Sequence, residues 1–204
     1  MSDDPLVLTG LIALVSYFGW QWWGDLRAWR AGTPNRGALP GATTAPAGAV
    51  ALAAAVSLAI LGAEVGGEYA LGIVGEQSRL GYLLALYTLF AAFVEELIFR
   101  GLLWDWASER VGERLGTAAL AVVLSLVFAL LHPFLWEWKD GGVQVHLTVK
   151  AWFSTAITFV SSLWFYWARL AAWNPERSLI PPVAAHLARN AGVIVVKGVQ
   201  GFLG

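Results

Sequence analysis

The chain has 204 residues, of which 58% are hydrophobic and 13% charged, with a net charge of −1 and no cysteine. A soluble domain carries about 25% charged residues, so this composition and a mean hydropathy of +0.63 exclude an ordinary water-soluble globule. The near-neutral charge gives no basic surface for nucleic acid, and the absence of cysteine removes disulfides, thiolate metal sites and a cysteine nucleophile.

The chain begins MSDDPLVLTG, with Asp3 and Asp4 where a secretory signal would place Lys or Arg. The apolar run that follows therefore reads as a retained first span, about Pro5–Gly24, closing on Trp20, Trp22 and Trp23. Asp25–Pro46, rich in Gly, Pro, Ala and Thr, reads as a solvent loop. The second span covers about Ala47–Val74, the third about Leu80–Trp104, and the fourth about Thr117–Leu135. Asp105–Gly116, with its mixed charges, reads as an exposed helical turn or two. The fifth span is about Thr148–Ala172 and the last about Leu179–Phe202. The expected fold is all-α, a polytopic transmembrane bundle of about six spans, each able to cross a core about 30 Å thick. Residues 1–79 hold the first two spans and their loop; residues 80–204 hold a helix bundle with all the unusual side chains. Twelve tryptophans, many at the ends of apolar runs, fit an aromatic belt at the membrane interfaces. Arg27, Arg30, Arg36, Arg110, Arg114, Arg169 and Arg177 fall on one side and Arg79, Lys139, Lys150 and Lys197 on the other. This bias favours both termini outside.

An ionisable side chain at bilayer depth costs about 2.5–3.5 kcal/mol on insertion scales, so each one there needs a partner or a wet cavity. In FVEELIFRG, Glu96 and Arg100 stand four apart and can pair on one helix face. Glu95 points about 100° away from Glu96, so one carboxylate can be neutralised while the other faces a cavity. In FALLHP, His132 follows Phe128 by one helical turn, and in AHLARN, His186 and Asn190 share a face. A lone buried histidine is more often a packing residue than a catalyst, and a Glu–Arg pair is often structural. Two histidines, an asparagine and a spare glutamate on separate spans are harder to explain by packing. Amide hydrolysis needs a base, a proton donor for the leaving nitrogen and donors for the oxyanion. Glu95 in an apolar setting suits the base, His132 can share the water, and His186 and Asn190 can donate to the oxyanion. The same atoms allow a metal reading, with Glu95, His132 and His186 as three zinc ligands and an open fourth position, although the HExxH pattern is absent.

Taken together, Glu95-Glu96-xxx-Arg100, Phe128-xxx-His132 and His186-xxx-Asn190, in that order, resemble the EExxxR, FxxxH and HxxxN motifs of the CAAX-protease and bacteriocin-processing (CPBP, or ABI) family. The stretch RSLIPPVAAHLARN is similar to the family's lead-in to its last motif, and the resemblance covers roughly Leu80–Gly192. It implies an intramembrane endopeptidase with a conical cavity among the four C-terminal helices, opening toward the cytoplasm. It further implies that Glu95 and His132 activate water, that His186 and Asn190 hold the oxyanion, and that Glu96, Arg100 and Phe128 support them. No cofactor is expected, zinc being the alternative. The partners implied are the lipid bilayer and a membrane-associated protein or peptide cut near its C-terminus or a membrane-proximal segment. The compact chain points to a prokaryotic inner membrane. The competing reading is a non-catalytic membrane partner, an immunity or assembly protein that keeps the motifs for packing. One departure from the family is Ser161-Ser162 in the fifth span, where many relatives carry glycines. His146 is expected to be solvated, Glu64 and Glu68 to pair with Arg79 or face water, and Arg189 to snorkel or pair with Glu96.

Overall fold

The computed structural model describes residues 4–139 and 141–204, and it is mostly helical. Helix α1 spans Pro5–Arg30; Pro5 occupies its first turn, and the Asp4 carboxylate accepts the Leu6 N–H at 2.8 Å. Helix α2 (Ala47–Leu71) ends at Gly72, whose φ of 70° is the left-handed cap that glycine takes most cheaply. Helix α3 (Tyr82–Glu96) runs without a break into a π-helical turn, Leu97–Leu103, and then into α4 (Trp104–Leu131). Helix α5 (Val149–Leu170) is capped by the Thr148 hydroxyl, which accepts the Ala151 N–H. Helix α6 (Ile180–Val199) starts on Pro181 and Pro182.

Three stretches, Pro5–Arg30, Ala47–Leu71 and Tyr82–Leu131, are long and apolar enough to cross a membrane. The third is not one rod. Gly116 has φ 76° and ψ 155°, outside the helical region. In a straight helix Trp104 and Leu120 would stand about 24 Å apart, yet they share one buried cluster with Leu124 and Tyr166. The Phe99 and Phe128 rings meet edge to face at 4.9 Å. The chain therefore doubles back at Gly116, and the two arms of this hairpin pack side by side. Helix α5 is built inside out relative to a soluble helix: Ser154, Thr155, Thr158, Ser161 and Ser162 are buried, while Trp152, Val160 and Trp167 are exposed. Such a face suits a helix with lipid outside and polar partners within.

Several boundaries differ from the sequence reading. Helix α1 continues through Arg30, because nothing from Asp25 onward breaks it before Gly32. The rest of the supposed solvent loop is partly core. Ala42 is buried with Trp22, Leu26, Leu97 and Leu179, and Trp22 donates its indole N–H to the Pro40 carbonyl at 3.1 Å. Asp105–Leu115 is helical, as read, and continues from the preceding turn without a break. An unexpected antiparallel hairpin, β1 (Trp136–Lys139) with β2 (Gly142–Val145), follows α4. The α1–α2 connection is clipped to the α5–α6 turn: Gly41 O accepts the Leu179 N–H at 3.0 Å, and the Ser178 hydroxyl donates to Thr43 O at 2.7 Å. That turn is itself organised by Asn174, whose amide donates to the Ala168, Arg169 and Ser178 carbonyls.

Gly41 is the tightest point of this clip. It has φ +62°, and a Cβ there would stand 2.9 Å from the Leu179 backbone nitrogen. The expected outcome of Gly41→Ala is a loss of about 1–3 kcal/mol, read as a lower unfolding midpoint in detergent. An unchanged midpoint would contradict the clip.

Candidate active site

The site is assembled around Arg100, whose side chain is wholly buried. Its Nη1 donates to Glu96 Oε1 at 3.1 Å, one turn back on the same helical run. Its Nη2 donates to the Ser162 carbonyl on α5 at 3.1 Å and to the Ser162 hydroxyl. The guanidinium also lies against four aromatic rings, 4.4 Å from the centroid of Phe128, 4.7 Å from Tyr166, 5.2 Å from Phe165 and 5.9 Å from Phe99. Each such contact attracts a desolvated cation through the ring quadrupole. The π-helical turn carries Arg100 and Gly101; such wide turns recur where a helix must aim side chains at a site. Gly101 lets Pro40 approach to 3.1 Å from where a Cβ would stand.

Glu96 is equally buried, and its Oε1 is shared. The same oxygen lies 2.8 Å from His186 Nδ1 on α6. A carboxylate paired with Arg100 can only accept, so Nδ1 carries the proton and His186 is fixed in orientation. Phe165 stacks on its ring at 4.8 Å. The other nitrogen, Nε2, stands 3.7 Å from Glu95 Oε2, and that glutamate side chain is 35% exposed. One carboxylate of the pair is thus locked into the core while its neighbour faces open space. His132 caps the end of α4 with an extended backbone, φ −75° and ψ 130°. Its Nδ1 lies 2.8 Å from the Phe128 carbonyl, which can only accept, so Nδ1 again holds the proton and Nε2 presents a lone pair. Asn190 Nδ2 donates to the Thr88 carbonyl at 2.9 Å, which uses one of its two amide hydrogens.

Glu95, His132, His186 and Asn190 line one cavity of about 450 Å³, together with Phe128, Phe165, Ser161 and Arg189. The sequence motifs therefore converge in space, and Phe128 lies between Arg100 and the two imidazoles, 4.5 Å from the His132 ring. Some expectations are overturned. Arg189 pairs with Glu64 of α2 at 2.6 Å rather than with Glu96, whose partners are already Arg100 and His186. Glu68 pairs with Lys150, not Arg79, and accepts from Gln77 at 2.7 Å. His146 is half-exposed but bonded to Glu137 across the β-hairpin at 3.3 Å. Ser162 went unassigned to the site in the sequence; only its departure from the family's glycines marked it, and it proves to be the α5 anchor of Arg100. In the zinc alternative, Glu96 on Nδ1 would orient His186, and its Nε2, 3.7 Å from Glu95 Oε2, would be the ligating atom. Among the described residues no group of three His, Asp or Glu side chains gathers to hold a metal ion.

Removing the guanidinium leaves the buried Glu96 carboxylate with His186 Nδ1 as its one remaining partner among the described residues. Arg100→Ala is expected to destabilise the protein by about 3–5 kcal/mol. Arg100→Lys is expected to restore only part of that loss, because an ammonium lacks the planar fork that reaches Glu96 and Ser162 together. Chemical unfolding in detergent measures both, and a wild-type midpoint for Arg100→Ala would refute the network's structural weight.

Comparison with known proteins adds a family. No curated protein and no solved structure matches the chain. A family model does, over residues 77–192, more than half of the chain and all of the residues just described from Thr88 to Asn190. The chain belongs to the family of type II CAAX prenyl endopeptidase Rce1-like proteins.

Proposed function

We propose that the protein is an intramembrane, glutamate-type endopeptidase that hydrolyses a peptide bond near the C-terminus or a membrane-proximal segment of a membrane-associated protein. The observation that carries this reading is the convergence of Glu95, His132, His186 and Asn190, from helices distant in sequence, on one cavity. Glu95 and the Nε2 lone pair of His132 hold a water between them. Glu95 takes one proton as the water oxygen adds to the scissile carbonyl carbon. The oxyanion that forms is met by the spare amide hydrogen of Asn190 and by His186 Nε2. Because Nδ1 of His186 is committed to Glu96, the donor at Nε2 is that of the imidazolium form of the ring. Glu95 then returns its proton to the leaving nitrogen. The oxyanion collapses and the C–N bond breaks, giving a carboxylic acid and a free amine; the acid then ionises by passing the second proton of the attacking water to that amine. Every step is met by this chain's own side chains, with no cofactor required. The Glu96–Arg100 pair and Phe128 hold the histidines in place.

The chain is an integral membrane protein by its family and its span-capable helices, and we assign it six crossings. They are α1, α2, α3 with its π turn, the arm after Gly116, α5 and α6. Residues 1–79 then form a two-span unit against which the catalytic bundle 80–204 packs, and a conical cavity opens among the last four crossings. The cavity wall reaches Leu80, Phe134 and Lys197, at the membrane face where α1 begins and α6 ends. The arginine-rich loops lie at the opposite face. A cytoplasmic cavity and a cytoplasmic arginine-rich face therefore cannot both hold. Arg169 and Lys150, one from each side of that count, are spent in ion pairs with Asp105 and Glu68, which leaves six against three. We give precedence to the family resemblance over this bias and assign the cavity and both termini to the cytoplasmic side of a prokaryotic inner membrane.

The test of function is cleavage of a peptide ending in a prenylated cysteine and a short tail, in liposomes, with mass spectrometry of the new C-terminus. Glu95→Gln should lower kcat by about 10²–10⁴, and Asn190→Ala by about 10²–10³, with folding unchanged. A non-catalytic scaffold would show no cleavage, and a Glu95→Gln variant as active as wild type would refute the mechanism. The orientation is checked separately. With no native cysteine, a Gln144→Cys variant should resist an impermeant maleimide applied to whole cells and an Arg36→Cys variant should react. The reverse pattern would place the cavity outside.

A further inference from the structure

Between α4 and α5 the chain leaves the helical bundle for the β1–β2 hairpin, whose register sorts its side chains. Trp136 stands opposite Val145 and Trp138 opposite Val143, while Glu137 stands opposite Gln144. Directly opposed residues project to the same side of a sheet, and successive residues to opposite sides. Trp136, Trp138, Val143 and Val145 therefore share one face, and Glu137, Lys139 and Gln144 share the other. The pairing continues past the strands, because the Leu135 carbonyl accepts the His146 N–H at 2.8 Å. Leu135 and His146 thus belong to the Glu137 side. Leu135 is buried, and His146 binds Glu137 at 3.3 Å and lines a cavity of about 610 Å³ between α2, α5 and α6. That side is turned inward. The tryptophan–valine side is turned outward, and Trp138, Val143 and Val145 are 70%, 57% and 65% exposed.

A single exposed tryptophan needs no explanation. Four adjoining apolar side chains on a two-stranded hairpin do, because such a hairpin is marginal in water and an uncovered apolar face with free strand edges invites aggregation. Its flanks say what covers it. Trp136 donates its indole N–H to the Leu130 carbonyl at 2.8 Å, at the end of α4, where Leu130 and Leu131 are exposed. On the other flank Leu147, Val149 and Trp152 are exposed and lead into the outer side of α5. The last arm of α4 and α5 are both crossings in the assignment above, so these side chains face lipid and the outer face of the hairpin continues their surface. Indole rings favour the headgroup region of a bilayer.

We propose that the hairpin Trp136–Val145 is a membrane-docking element that lays its tryptophan–valine face into the interfacial layer of the bilayer, beside the mouth of the catalytic cavity. This rests on the assignment of crossings and not on the endopeptidase chemistry. The hairpin is rooted at the site itself: Phe134 lines the catalytic cavity and stacks on the His132 ring at 5.9 Å. Docking therefore ties the end of α4 that carries His132 to the leaflet surface.

The experiment uses the absence of native cysteine. Val143→Cys, Gln144→Cys, Val145→Cys and, in the middle of α5, Val160→Cys are each labelled with a polarity-sensitive fluorophore. The full chain is then placed in phosphatidylcholine vesicles whose lipids carry a nitroxide quencher near the headgroup or near the chain end. Labels at Val143→Cys and Val145→Cys should emit to the blue and lose most of their emission to the headgroup quencher. The label at Gln144→Cys, between them in sequence, should emit to the red and keep its emission. Val160→Cys should be quenched best by the chain-end nitroxide, as a crossing requires. Quenching at Val160→Cys with none in the hairpin overturns the docking and leaves the crossing intact. Equal quenching at all three hairpin positions overturns the one-sided face. Blue emission without lipid quenching at Val143→Cys and Val145→Cys means that a protein covers the face, and overturns lipid as the partner. No quenching at any of the four positions overturns both the docking and the crossing on which it rests.

Discussion

A guanidinium at bilayer depth has to be met on every side, and Arg100 is met by residues from most of the bundle. Its own helical run supplies Glu96 and Phe99, α4 supplies Phe128, and α5 supplies Ser162, Phe165 and Tyr166. Helix α6 joins through His186, which reaches the same glutamate oxygen. Lipid offers no hydrophobic drive for one helix to leave it for another, so polar contacts and close packing must select the arrangement. Here one buried ion pair imposes a common centre on four segments. It also fixes the neighbours of Glu95, because Oε1 of the adjacent carboxylate is held by both Arg100 and His186.

The chemistry follows from which protons are already placed. Both histidines offer Nδ1 to an obligate acceptor, His186 to Glu96 and His132 to the Phe128 carbonyl. In each ring the remaining nitrogen is the variable one. His132, bonded to a neutral carbonyl, is suited to accept from water. His186 has its Nε2 3.7 Å from Glu95 Oε2. Two imidazoles in one cavity thereby sit in different hydrogen-bond settings.

Much of this was legible from the residue order. The period of the apolar runs located the helices, and the polar side chains within them, costly in lipid, are the ones that share the candidate cavity. The i, i+4 spacings of Glu96 with Arg100 and of Phe128 with His132 translated directly into contacts. What stayed hidden depended on long-range partners. Nothing local to Arg189 distinguishes Glu96 from Glu64 as its counterion; only the packing of α2 on α6 decides. Ser162 looked like a departure from a glycine, and its role appears only when Arg100 arrives from another helix. The β-hairpin was available but overlooked: Trp136-Glu137-Trp138-Lys139 and Gly142-Val143-Gln144-Val145 flank Asp140-Gly141, a turn dipeptide favoured in two-residue hairpin loops. The π turn at Leu97–Leu103 leaves no signature in composition at all.

The reversal at Gly116 sets a phase relation between the two arms it joins. From that glycine, the number of residues to Phe128 and His132 determines which way both rings face. Each residue of helix turns its successors by about 100°. A single-residue insertion or deletion between Gly116 and Phe128 would swing Phe128 off the Arg100 guanidinium and point His132 away from Glu95, without changing one side chain of the site. The spacing of that arm is therefore as constrained as the motifs at its end.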